Sequence, residues 1–217
     1  MEFKNMPLPK KIEHIWEYYK IHIFAVIFAV GAVIWLVNRF IINPAPKMYT
    51  GIAIYGPHVS IEEINRFNDY INEKVIPDGV NEAVETTNFF FTEGTESEDA
   101  IQDADMLNKF NTYMFSLQLD IFIGTEDDLR SCVKAEYVDP ITEYLGEDRV
   151  KELEDAGLVI YDSATENGEE QPFGISLENS GIINGLESLK GEKWYLGFVP
   201  IEGREEKAAN TAEAIIN

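Results

Sequence analysis

The chain has 217 residues, 39 of them acidic against 17 basic, and a formal net charge of −22 at pH 7. A field of that sign repels nucleic acid and anionic lipid, so nucleic-acid binding is excluded as an expected function, whereas cationic ligands and basic surfaces are tolerated. A single cysteine, Cys132, rules out an internal disulfide, and no Asn-x-Ser/Thr sequon occurs, a combination that fits a bacterial extracytoplasmic domain.

Residues 1–20 read as a short cytoplasmic lead, with Ile12, Ile15, Trp16 and Tyr19 at helical spacing. The stretch from Ile21 to Ile42, IHIFAVIFAVGAVIWLVNRFII, has no charge between Phe24 and Val37. As a helix it measures about 33 Å, enough to cross a hydrocarbon core of about 30 Å. Lys4, Lys10, Lys11 and Lys20 precede it, and only Arg39 and Lys47 come closely after it, so the positive-inside rule places the N-terminus in the cytoplasm. The apolar run exceeds the 7–15 residues usual in a cleaved signal peptide, which suggests an uncleaved signal-anchor in the cell membrane. Asn43-Pro44-Ala45-Pro46 stops the helix and, through residue 48, forms a linker to an extracytoplasmic domain over 49–217. From Pro44 onward there are 12 basic and 36 acidic residues, a net charge of −24.

Within that domain, Met48–Tyr55 predicts a first strand, and Gly56-Pro57-His58 a turn. Ser60 with Glu63 forms a capping box for a helix whose face is Ile61, Ile64, Phe67, Ile71 and Val75. Pro77-Asp78-Gly79 ends that helix, and Ala83–Thr92 predicts a second strand. The acidic run Glu93–Asp105 reads as a loop leading into a helix with Ala104, Leu107, Phe110, Met114 and Leu117 as its apolar face. Leu119–Ile123 is short and almost wholly apolar, as a central strand buried on both faces would be. Thr125 with Asp128 forms a second capping box, and Asp139-Pro140 looks like a cap with proline at the first helical position. Helical turns run on to Leu145 and over Glu147–Ala156, with Gly157 as the stop. Leu158–Asp162 and Pro172–Leu177 flank a polar loop containing Asn167-Gly168, a hairpin signal. Leu177–Leu189 is partly helical, Lys193–Val199 is the last strand, and Arg204–Ile216 a closing helix with Ala208, Ala212, Ile215 and Ile216 toward the core. The order implies an α/β domain with a mixed, mostly parallel sheet flanked by helices, preceded by one transmembrane helix.

No catalytic pair is visible. His58 is the only histidine outside the membrane lead, and it lies in a turn. Cys132 has Arg130 and Lys134 nearby, which would lower a thiol pKa, but with no second cysteine or partnered base it reads as a half-buried structural residue. Asp162–Glu170 fails the calcium-loop template, since its first and twelfth positions would be Ser163 and Gly174. No glycine-rich phosphate loop and no metal-spaced set occurs, so no metal and no cofactor are expected. Open α/β sheets bind ligands at the carboxyl ends of their strands, which makes His58, Thr125, Glu126 and Asp128 the candidate ligand-binding residues. The alternative role for the acidic residues is to balance the helix dipole.

A helix leading into LDIFIGT and then an acidic helix resembles the corresponding segment of type 2 extracytoplasmic solute-binding proteins. The short helix, LVIYD, polar hairpin and PFGISL are similar to the next segment of that family, and KWYLGFVPIEGREEKAANTAEAII resembles its return strand and helix. The resemblance implies an α/β lobe built for ligand or partner binding. The family has two lobes with ligand between them, whereas about 170 residues here suffice for one, and no binding residue carries over by position. Together these features suggest a non-enzymatic, membrane-anchored extracytoplasmic binding or interaction domain, of a kind that could serve as an accessory subunit with a protein partner. A tethered small-solute receptor is the alternative, marked by an aromatic-lined pocket at the strand ends. A hydrolase would instead need clustered carboxylates in a cleft.

Overall fold

The computed structural model describes residues 7–91, 97–165 and 168–217. It comprises two compact units, Met1–Pro46 and Lys47–Asn217. In the first, helix α1 (Leu8–Val37) runs through the lead without a break and passes into a π-helical turn at Asn38–Ile42. Asn43 closes that turn, its N–H donating to the Asn38 carbonyl (2.8 Å) and its Nδ2 to Asn38 Oδ1 (3.0 Å). Pro44 and Pro46 then stop the helix. The stretch Trp16–Ile42 contains an 18-residue window with a mean hydropathy of 2.3, and none of that window is buried within the chain. Among the described residues it is the one helix long and apolar enough to cross a membrane.

The second unit is an α/β domain around a six-stranded mixed sheet. Its strands are β1 (Lys47–Gly56), β2 (Glu82–Phe90), β3 (Ile121–Gly124), β4 (Val159–Asp162), β5 (Gln171–Ser176) and β6 (Tyr195–Phe198). They lie in the order β2-β1-β3-β6-β5-β4. β1 is parallel to both β2 and β3, and the pairs β3–β6, β6–β5 and β5–β4 are antiparallel. The helices are α2 (Ile61–Val75), α3 (Ser97–Phe115), α4 (Glu126–Lys134), α5 (Glu147–Asp155), α6 (Gly181–Asn184) and α7 (Glu205–Ile216).

Strand alternation divides the core in two. Ile52 and Ile54 of β1, Ile121 and Ile123 of β3, and Leu196 and Phe198 of β6 face Phe67 and Ile71 of α2 and Ala208, Ala212 and Ile215 of α7. Ala53 and Phe122, one position out of phase, face Phe110 and Met114 of α3 and Leu129, Cys132 and Val133 of α4. Every position of β3 is buried, as a central strand requires.

Several local expectations are corrected. On α2, Ile61 is exposed, and the buried face of the helix runs through Glu63, Phe67 and Ile71. On α3, Ala104, Leu107 and Leu117 point to solvent, and the inward stripe is Met106, Phe110, Tyr113 and Met114, rotated so that aromatic rings meet Phe89 and Phe122. Asp139 is not a cap. Its carboxylate accepts from the Tyr144 hydroxyl (2.9 Å), and Ile141–Glu143 is a single 3-10 turn without a side-chain cap. The acidic run expected as a loop is already helical from Ser97, while residues 93–96 lie outside the described residues. The hairpin's β4–β5 pairing is antiparallel as expected, and Asn167 likewise lies outside the described residues.

β3 starts at Ile121 because Asp120 turns inward at its mouth. Asp120 is fully buried. Its N–H donates to the Gly51 carbonyl (2.8 Å), and its Oδ2 accepts from Gly51 N–H (2.9 Å). Its Oδ1 accepts from Arg204 Nε (3.1 Å) and Nη2, and Nη2 also reaches the Leu117 carbonyl (2.7 Å). Burial pushes the Asp120 carboxyl above its ordinary range, against the pull of Arg204 and the Gly51 N–H. A side chain at position 51 would collide with this junction, since a Cβ there would lie 1.9 Å from the Gln118 carbonyl oxygen. Truncating one member of a buried pair leaves the other uncompensated. Arg204→Ala is therefore expected to cost about 3 kcal/mol in urea unfolding. Asp120→Ala combined with Arg204→Ala should cost less than the sum of the single changes, and strictly additive losses would refute the coupling.

Candidate functional site

The carboxyl ends of β1, β2 and β3 open onto a cleft of about 590 Å³. Its floor begins where β1 ends. Gly56 has φ of +148°, which strongly favours glycine, and a Cβ there would lie 2.9 Å from the Trp194 indole. The chain then turns through Pro57 and His58. Asn88 of β2 fixes this turn, its Oδ1 accepting from Val59 N–H (2.8 Å) and its Nδ2 donating to the Ile54 (3.1 Å) and Pro57 (3.0 Å) carbonyls. His58 itself is exposed, with its ring edge-on to Phe90 at 5.0 Å.

The opposite rim is the 3-10 turn Glu187–Leu189, brought to the start of α2 by one carboxylate. Glu63, 5 % exposed, accepts from Ser60 N–H (3.4 Å) and Oγ (3.0 Å) and from Ser188 N–H (3.2 Å) and Oγ (2.5 Å). These donors, led by the Ser188 hydroxyl, hold Glu63 down at about 2. Trp194 completes the rim by donating its Nε1–H to the Leu189 carbonyl (2.7 Å).

The third wall is the start of α4. The capping box read from the sequence is present: Asp128 N–H donates to Thr125 Oγ1 (3.3 Å), and Asp128 Oδ2 accepts from Thr125 N–H (3.2 Å) and Oγ1 (2.6 Å). Asp128 Oδ1 accepts no hydrogen bond among the described residues. Beside it stands Tyr55, partly exposed, with its ring 4.5 Å from that of Phe91 and its hydroxyl unbonded among the described residues. Burial first, then the Asp128 and other nearby negative charges, push the phenol up to about 12, so it remains a neutral donor.

The structure thus brings His58, Thr125 and Asp128 to one cleft. Glu126 points elsewhere. Its Oε1 accepts from Arg130 Nε (3.0 Å) and Nη2 (2.7 Å), and its Oε2 from the Tyr195 hydroxyl (3.3 Å), beside a separate shallow depression. Cys132 is buried rather than half-buried, and its thiol is pushed up to about 12 by burial and by Asp128. Arg130 does not lower it, because its guanidinium is engaged by Glu126 and Asp162 (2.9 Å). The Ser188 hydroxyl donates to Glu63, and no hydrogen bond joins His58 to a serine or to Cys132 among the described residues. No group of three or more His, Cys, Asp or Glu residues is placed to hold a metal ion among the described residues.

Sequence reasoning missed Tyr55, Phe91, Trp194, Asn88 and the Glu63–Ser188 contact. An asparagine inside an otherwise β-branched and aromatic strand was the one available signal for Asn88. No protein-family model, no curated protein and no solved structure matches this chain.

Because the folded pKa of Glu63 lies below its unfolded value, its contribution is complete above the unfolded pKa and is lost as pH falls from about 4.5 toward about 2. Glu63→Gln should lower stability by about 1.5–3 kcal/mol at neutral pH. The gap to the unsubstituted domain should close progressively on acidification over that window, as measured by urea unfolding. A gap independent of pH would show that the clamp acts through shape and not charge.

Proposed function

We propose that this chain is a non-enzymatic, single-pass membrane protein whose acidic α/β domain lies outside the cytoplasm and binds a small ligand. The cleft at the carboxyl ends of the parallel strands carries this proposal. Open α/β sheets place their ligands there, and the cleft combines partly exposed aromatic surface from Tyr55 and Phe91 with the polar groups of Thr125, Asp128 and Ser188. The lysine bias before the apolar helix supports the outward orientation. The resemblance to one lobe of type 2 extracytoplasmic solute-binding proteins supports the α/β fold of a binding lobe, without the second lobe that closes over ligand in that family.

A second reading, an accessory subunit that docks another protein, is favoured by one observation. Ile101, Leu107 and Phe115 of α3, with Leu117 just beyond, are solvent-exposed on one side of the domain.

A thermal-shift screen separates the two. The fragment 47–217 contains both apolar clusters in full, so it is suited to screening against amines, amino acids, short peptides, sugars and divalent ions. A ligand that binds only the native state stabilises it by about 2.7 kcal/mol at a hundredfold excess over its dissociation constant. A reproducible rise with one ligand class supports the cleft as a receptor. A flat screen on a cooperatively folding sample rejects it in favour of protein docking on α3. On intact cells, a C-terminal epitope should be accessible to added protease, and its protection would overturn the outward orientation.

A further inference from the structure

We infer that the cleft takes a protonated amine carrying an apolar or aromatic body, an assignment that rests on the cleft being a ligand site. Three features of the cleft select charge and shape.

The first is the treatment of the α4 N-terminus. A helix start at the carboxyl end of a central strand ordinarily offers free N–H groups to an anion. Here the Asp128 N–H is taken by Thr125 Oγ1, and the first turn carries Glu126, Asp127 and Asp128. An incoming phosphate or carboxylate would meet the Asp128 side chain where it needs donors. The second feature is the charge balance of the walls. The cleft contains one lysine, Lys190, and its ammonium is paired with Glu187 at 2.6 Å. Asp128 and Glu192 line the same space, and neither Asp128 Oδ1 nor the Glu192 carboxylate makes an ion pair or accepts a hydrogen bond among the described residues. The local field is therefore negative, within a domain whose own net charge from Pro44 onward is −24. The third is the ring surface. Tyr55 and Phe91 lie together beside Asp128, with centroids 4.5 Å apart and planes tilted by 39°. An ammonium bound to Asp128 would sit next to π-surface that attracts cations, and its apolar body would cover those rings. The Tyr55 hydroxyl, unbonded among the described residues, adds a donor but no competing positive charge.

An isosteric charge series tests this on the unmodified protein. The full chain in lipid nanodiscs is titrated calorimetrically, at physiological ionic strength, with phenethylammonium, 2-phenylethanol and phenylacetate, using empty nanodiscs as the blank. The ammonium compound should bind about tenfold or more tightly than either of the others. Asp128→Asn keeps an oxygen to accept from Thr125 but removes the charge, and it should reduce the ammonium affinity to that of the alcohol. Tyr55→Leu should weaken the ammonium and alcohol compounds together. Equal or tighter binding of the alcohol or carboxylate would overturn the charge assignment and leave the cleft standing as a ligand site. Ammonium binding unchanged by Asp128→Asn would expose a diffuse ionic atmosphere and also overturn it. No binding by any of the three would overturn the amine assignment, and the broader thermal-shift screen then decides separately whether the cleft binds at all.

Discussion

A single buried carboxylate, Asp120, sets the geometry on which the rest of the domain depends. It sits at the junction of β1 and β3, where the chain returning from α3 must approach so closely that only glycine fits opposite, at Gly51. A fully buried charge is costly unless every oxygen is matched. Here one oxygen is held by the Gly51 amide and the other by Arg204, which stands immediately before α7. The Asp120 carbonyl also receives the Val199 N–H just past the end of β6. One residue thereby fixes the register of the central parallel pair, the antiparallel return strand and the helix that closes one face. Thr50, next along β1, adds a second tie to α7 through its hydroxyl contact with Thr211 (3.0 Å).

With the amino-terminal mouth of β3 locked by backbone and charge, the carboxyl ends of the same strands are left to be shaped by longer-range contacts. Glu63 and Ser188 meet across 125 positions of sequence, and Asn88 ties its own strand to the turn after β1. The division is a physical one. Dense, satisfied hydrogen bonding at one end positions the sheet, and the other end is open enough to expose Tyr55, His58 and Asp128 while their backbones remain fixed. The walls of the cleft come from the turn after β1, the start of α4 and the Glu187–Leu189 turn, fixed by Asn88, by the Thr125–Asp128 capping box and by Glu63 respectively.

The elements were legible in the sequence wherever a local rule governs them. Both capping boxes, the break after α2, parallel pairing among the first three strands, the central position of β3 and the antiparallel hairpin all arise from short-range chemistry and strand-helix alternation. The features that were not legible depended on partners distant in sequence. The 3.6-residue pattern on α3 admits two apolar stripes that share Phe110 and Met114, and packing against the sheet selects the one through Met106 and Tyr113 over the one through Leu107 and Leu117. Asp139 has the spelling of a cap, but Tyr144 competes for its carboxylate. Of the four candidate residues, His58, Thr125 and Asp128 line one cleft because all three lie at the carboxyl ends of parallel strands. Glu126 was grouped with them by adjacency, although successive residues of a helix point about 100° apart, which turns it toward Arg130 and Tyr195. The aromatic members of the cleft looked like ordinary strand residues, since a ring at the last position of a strand is indistinguishable in sequence from one in its middle.

The acidity of the chain takes on a more specific meaning in this setting. As composition alone, a net charge of −22 says little beyond solubility and repulsion of polyanions. Placed on the fold, part of it occupies the very position that would otherwise be an anion site, because Asp128 satisfies its own helix and leaves an oxygen over for the cleft. The same open-sheet geometry that elsewhere cradles phosphate is thus given the opposite sign by one capping residue. An asparagine at that third position of the helix would still offer Thr125 an acceptor oxygen. The carboxylate adds charge as well, and that charge beside the Tyr55–Phe91 pair is what the proposed amine preference rests on.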